Sequence, residues 1–275
     1  MRTMTSDAGV ANAFDLPLSA ALTAEPAQGV PPALNPVPAW TDVLREQLGA
    51  VRLALRYEAR VAAAIMALLS ALLLLTDDGG IWLDPQMGVP VALIALLIPM
   101  AVWKGEGPGE RGYHRSMPVE PTAHAVIRTG AGLAWSLAAM TASFAWLGLL
   151  TVVTGGHVDP VEPWQWAAPF AGATVLYLLG SALTLVTSHP WRWLGGSVVG
   201  FLFLDSFRDV NVLRPLGNFV DELLAGRYGI YTLVNGGHNR YHTLFDPEVW
   251  LASVAIWLPV AVGAFLVAAY RQPES

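Results

Sequence analysis

The chain has 275 residues, 54% hydrophobic and 13% charged, with a formal net charge of −6 at pH 7. A soluble domain carries about 25% charged residues, so this composition excludes a water-soluble globular enzyme, and the acidic balance argues against a nucleic-acid binder, which would show a basic patch or stripe. The absence of cysteine removes disulfides, thiolate metal sites and cysteine nucleophiles together.

Residues 1–39 hold Pro17, Pro26, Pro31, Pro32, Pro36 and Pro38 among alanine, glycine and serine. Such a segment cannot bury enough apolar surface to offset its ordering entropy, and it reads as a disordered cytoplasmic tail. A signal peptide would need an uninterrupted apolar core, whereas Asp15 and Pro17 break the one near 16–24. From 40 to 57, Trp40, Val43, Leu44, Leu48, Val51 and Leu55 recur at helical spacing. Arg45, Arg52 and Arg56 lie off that face, and Thr41 is a natural N-cap. An amphipathic basic helix directly before a span lies in the inner membrane interface, its arginines at lipid phosphates and Trp40 at headgroup depth. The plainer alternative is an N-terminal extension of the first span.

Runs free of Asp, Glu, Lys and Arg follow at 61–76, 85–103, 129–158, 163–191, 193–204 and 249–270. About 20 apolar residues cross a bilayer, which predicts spans near 59–77, 86–104, 128–152, 166–187, 193–210 and 249–270. The fifth is the doubtful one, because it must continue through Asp205, Arg208 and Asp209 or fail to cross. With the N-terminus inside, only Arg208, Arg214, Arg227 and Arg240 of the 15 cations fall outside. Retention of Lys and Arg on the cytoplasmic side therefore predicts N-in and C-in, and residues 271–275 form a short cytoplasmic tail. The large external segment, 205–248, contains Leu213, Leu216, Val220, Leu223 and Leu224 at helical spacing with Gly226 as a stop. A short helix there caps the spans or dips back into the membrane.

Several constellations bear on chemistry. A P-loop needs a lysine after its glycines and before Ser or Thr. Lys104, the one lysine, stands between Trp103 and Gly105, so any nucleotide hydrolysis belongs to another polypeptide. His238, His242 and Asp246 are spaced to share a helix side and suit zinc by type, but Gly236, Gly237 and Pro247 oppose a helix there. Asp205, Arg208 and Asp209 form an i, i+3, i+4 cluster at the outer end of the fifth span, either a gate or substrate contact, or a salt-bridged helix end in the headgroup layer. Gly196 and Gly200, preceded by Gly195, permit close helix packing within or between subunits.

The cytoplasmic loop between the second and third spans reads WKGEGPGERGYHRSMPVEPTAHAVIR. Its stretch GERGYHRSMPV resembles the loop of permease subunits of type-2 ATP-binding-cassette exporters. In that family a Glu-Arg pair opens this loop, a Pro-Val pair closes it, and a coupling helix between them sits in a groove of the ATPase. Glu110–Arg111 matches the opening and Pro118–Val119 the close, with Tyr113 and Arg115 between. The family commonly carries a basic residue soon after the Pro-Val pair, whereas this chain has Glu120–Pro121. The resemblance extends over roughly residues 40–270, through the elbow helix, the six spans and the large outer segment before the last span.

The expected fold is thus an all-α integral membrane protein of six transmembrane helices, N-in and C-in, preceded by an interfacial elbow helix. Its permease domain covers 40–270. The resemblance implies a multi-pass plasma-membrane exporter subunit that is not itself an enzyme. It implies no cofactor in this chain, with ATP and magnesium bound by a partner P-loop ATPase. A second permease copy or paralogue and membrane lipids complete the expected partners, with no nucleic acid. Two other classes stand beside it: a non-transporting membrane scaffold or assembly factor, and an intramembrane metal-dependent enzyme using His238, His242 and Asp246.

Overall fold

The computed structural model describes residues 40–76, 80–104, 120–206, 214–236 and 246–271. Their regular elements are helices: α1 (Trp40–Ala54), α2 (Arg56–Thr76), a 3-10 turn (Pro85–Gly88), α3 (Val89–Ile94), α4 (Ile98–Val102), α5 (Pro121–Val153), α6 (Pro163–Val186), α7 (Pro190–Ser206), α8 (Arg214–Ala225), α9 (Ile230–Val234) and α10 (Pro247–Tyr270). Four helical segments among these residues are long and apolar enough to cross a membrane: Pro85–Val102, Thr122–Val153, Pro163–Val186 and Pro247–Tyr270. The all-helical, membrane-type architecture expected from composition is therefore present.

Acid–proline steps set the helix starts. Glu120–Pro121, Glu162–Pro163 and Asp246–Pro247 open α5, α6 and α10, each acid in extended conformation at the N-cap and each proline at the first helical position. Proline there forfeits only an N–H that has no intrahelical partner, and the carboxylate complements the positive end of the helix dipole. Helix α5 thus begins at Pro121, about two turns before the expected boundary near 128, and carries Arg128 within it.

The segment expected as the second span, 86–104, corresponds to the candidate span Pro85–Val102 and is broken within. Its hydrogen bonds tighten to i→i−3 at Leu96, Leu97 and Met100. Pro99 has no N–H to give the carbonyl four residues back, and its ring crowds that carbonyl. Non-helical backbone at membrane depth persists only where protein covers it. Here Gly180 of α6 lies against the Leu96 carbonyl, in space that a Cβ would fill.

Helix α6 is the centre of the bundle. Of its apolar window 61% is buried, against 22% for α5 and for α10, and it packs on α3, α4, α5, α9 and α10. Gly172 admits Val234 of α9, while Gly132 of α5 admits the Tyr177 ring of α6. The two apolar clusters both run through it, one around Val175, Leu178 and Leu185, the other around Ala173, Leu176 and Tyr177.

Candidate functional site

At the end of the bundle where α4 stops and α5 starts, the chain leaves at Lys104 and returns at Glu120. Arg128 reaches across this junction. Its Nη2 donates to the Val102 carbonyl at 2.7 Å, and its guanidinium carbon lies 5.3 Å from the centre of the Trp103 ring. Trp103 is buried and meets His124 edge-on, ring centres 6.5 Å apart. The carbonyls at the end of α4 have no further helical donors, so a cation is favourable there. A charge-assisted hydrogen bond contributes roughly 1.5–3 kcal/mol and a partly desolvated cation–π contact about 1–2 kcal/mol. The exposed Arg45–Asp42 pair at 3.5 Å contributes under about 1 kcal/mol. Among the described arginines at this end, Arg128 makes the stronger contacts.

Helix α1 joins the same end. Val51 is fully buried in one cluster with Val102, Trp103 and Ala125, and the Trp135 indole donates to the Leu48 carbonyl at 3.1 Å. Arg45, Arg52 and Arg56 are exposed, as their position off the apolar face predicts. Leu44 departs from the predicted face and is exposed, because the helix rests on α5 along Leu48, Val51 and Leu55. Bonds from Leu55 N to Val51 O and from Ala59 N to Leu55 O carry the helical pattern from α1 into α2. Helix α1 is thus backbone-continuous with α2 and also packed on α5. The side chain of Trp40 lies outside the described residues.

The opposite end is built from the loops 80–84 and 154–162. Leu83 and Val158 form a parallel bridge, with Leu83 N bonded to His157 O at 3.0 Å and Asp159 N to Leu83 O at 2.9 Å. The Thr154 hydroxyl oxygen accepts from Ile81 N at 3.0 Å. Gly80, at φ +87°, abuts Gly156, and Gly156 in turn abuts the Ile81 carbonyl. Beside this tie lies a cleft of about 300 Å³ lined by Asp84, Pro85, Gln86, Asp159, Pro160, Val161, Glu162, Gln165 and Asn235. Three carboxylates and no cation line it, which gives it a negative potential. Motif reading missed this cleft. Its signal was the acid–proline steps Asp84–Pro85 and Glu162–Pro163, which place acids at element starts on one end, with Asp159–Pro160 in the loop between.

Segment 226–236 folds into the bundle at this end. The Trp250 indole donates to the Leu233 carbonyl at 3.1 Å, and the Trp257 indole to the Tyr228 carbonyl at 2.8 Å. Seven residues separate these tryptophans along α10, so Tyr228 sits about 10 Å deeper than Leu233 at 1.5 Å per residue. Helix α9 therefore runs alongside α10 toward this end, from exposed Tyr228 to buried Thr232, Leu233 and Val234. Helix α8 before it leaves Leu216, Phe219 and Leu223 exposed on one face. The helix expected from the spacing of Leu216, Val220, Leu223 and Leu224 is present as Arg214–Ala225.

The remaining sequence-predicted residues divide simply. Glu110, Arg111, Tyr113, Arg115, Pro118 and Val119 lie outside the described residues, as do Arg208, Asp209, His238 and His242. Asp205 is in the last turn of α7, its side chain outside the description. Asp246 is the exposed N-cap of α10. Gly195, Gly196 and Gly200 face open space. Among the described residues no three His, Asp or Glu side chains gather to hold a metal. Comparison with family models, with curated proteins and with solved structures returns no match.

Proposed function

We propose that the chain is the membrane-spanning permease subunit of an ATP-driven exporter of the type-2 ATP-binding-cassette class, without a nucleotide site of its own. The observation that carries this reading is positional. The stretch GERGYHRSMPV lies in sequence between α4 and α5, whose neighbouring ends pack with α1. A push on that stretch would be delivered directly to the helices.

The return of the chain supports six crossings. Helices α6 and α10 begin side by side, the Trp164 and Trp250 rings 5.6 Å apart, and pack extensively on each other. The segment between them must then bring the chain back over the length of α6, about 36 Å for 24 residues. Helix α7, 17 residues or about 25 Å long, is the element available for the return. Helix α2, 21 residues and free of charge after Arg60, supplies the first crossing. The cation distribution supports an N-in and C-in orientation, and the resemblance to exporter permeases supports the plasma membrane. A second permease copy accounts for the exposed apolar faces of α2 and α7. Asp205, in the last turn of α7, then stands at the outer end of the subunit boundary.

In this mechanism the partner ATPase binds the two permease states with different affinity, since otherwise no equilibrium shifts. Nucleotide-driven closure of the ATPase presses on Glu110–Arg111 and Pro118–Val119, and the helices tilt in response. The test is the double variant Glu110→Ala, Arg111→Ala in the full-length chain. Loss of ATPase co-purification with normal membrane insertion is the expected result. Undiminished association would remove the assigned docking role, and a wild-type chain that retains no ATPase would favour the scaffold.

A further inference from the structure

The short helix α4 is a poor lever on its own. It has five residues and follows the broken turn at 95–97, so a displacement entering at Lys104 would be absorbed by bending at the break. Arg128 removes that freedom. One planar side chain, two turns into α5, bonds the last carbonyl of α4 and covers the ring of the next residue, Trp103. Trp103 also packs against His124. Val51 of α1 is buried in the same cluster, and Trp135 fastens the α1 backbone one turn away at Leu48.

We propose that Arg128 is a positioning residue that makes the end of α4, the start of α5 and helix α1 one mechanical unit, so that displacement of either stem moves all three. Its mechanical consequence rests on the permease reading; the tie itself does not. A guanidinium suits the role better than a lysine ammonium, because its extended planar fork can donate to the carbonyl while its central carbon lies over the ring.

The chain has no cysteine, and Lys104 and Glu120 are exposed, so Lys104→Cys with Glu120→Cys gives a spin-label pair across the stems of the full-length protein in lipid nanodiscs. With Arg128 present the pair gives one narrow distance peak. Arg128→Ala loses it to a broad or split distribution, and Arg128→Lys falls between. In the complex with its co-purified ATPase, Arg128→Ala keeps the partner bound while the permease-dependent change in ATP hydrolysis falls about tenfold. A narrow peak that survives Arg128→Ala overturns the tie. Should Arg128→Ala fail to accumulate in membranes, Arg128→Gln, which keeps a donor but no charge, is read by the same criteria. A wild-type chain without an ATPase sinks the permease reading, while the distance peak still decides the tie.

Discussion

Helices α6 and α7 follow one another in the chain, separated by three residues, and both carry glycine and bulky apolar side chains. In α6 the glycines are contact points: Gly172 meets Val234, and Gly180 meets the Leu96 carbonyl. In α7 the glycines meet nothing, and Trp191, Trp193, Val198 and Val199 are exposed, Val199 at 66%. The difference lies in what each helix is packed against, since hydropathy is similar in kind. Without a hydrophobic force between helices in lipid, close backbone approach through small residues is what holds them. Helix α6 has used that approach within the subunit, whereas α7 leaves its small residues for lipid or another chain.

The sharpest break of this comparison is a paired substitution. Gly180→Leu forces a side chain into the Leu96 carbonyl and is expected to cost about 3 kcal/mol or more, read as loss of folded protein in detergent or a large fall in unfolding temperature. Gly196→Leu is expected to shift the stability of the isolated subunit by less than about 0.5 kcal/mol, yet to abolish cross-linking between two copies through α7. Equal damage from both would show α7 packed within its own subunit.

Smaller effects test how the outlying pieces are fastened. Trp257→Phe removes the indole donor of the exposed Tyr228 carbonyl, with an expected loss of about 0.5–1.5 kcal/mol and faster hydrogen exchange across 226–236. Trp135→Phe should cost about 1 kcal/mol and loosen α1, seen as protease cleavage near Leu48. Arg45→Gln, which removes only an exposed pair, is expected within about 0.5 kcal/mol of wild type.

The long charge-free runs were readable because a bilayer leaves one solution for them, and α5, α6 and α10 lie where 129–158, 163–191 and 249–270 predict. What escaped was non-local. Arg128 marked a boundary in the linear reading, but inside the fold it is paired with a carbonyl and a ring, so the helix runs on from Pro121 through it. The break at 95–97 was foreshadowed by Pro99 but tolerated only because Gly180 lies opposite, which periodicity cannot reveal. The bridge of Leu83 with Val158 and the acidic cleft beside it join segments more than seventy residues apart. Leu44, which shares the apolar stripe of α1 by spacing, faces outward because α5 reaches only part of that stripe.

The most direct measurement is affinity purification of the full-length chain from its native membrane, with protein identification and an ATP hydrolysis assay on the eluate. A P-loop ATPase at near-equal amount, and hydrolysis found only in its presence, is the predicted result. A pure chain with no such partner, or one that hydrolyses ATP alone, would contradict the assignment of a permease driven from outside its own sequence.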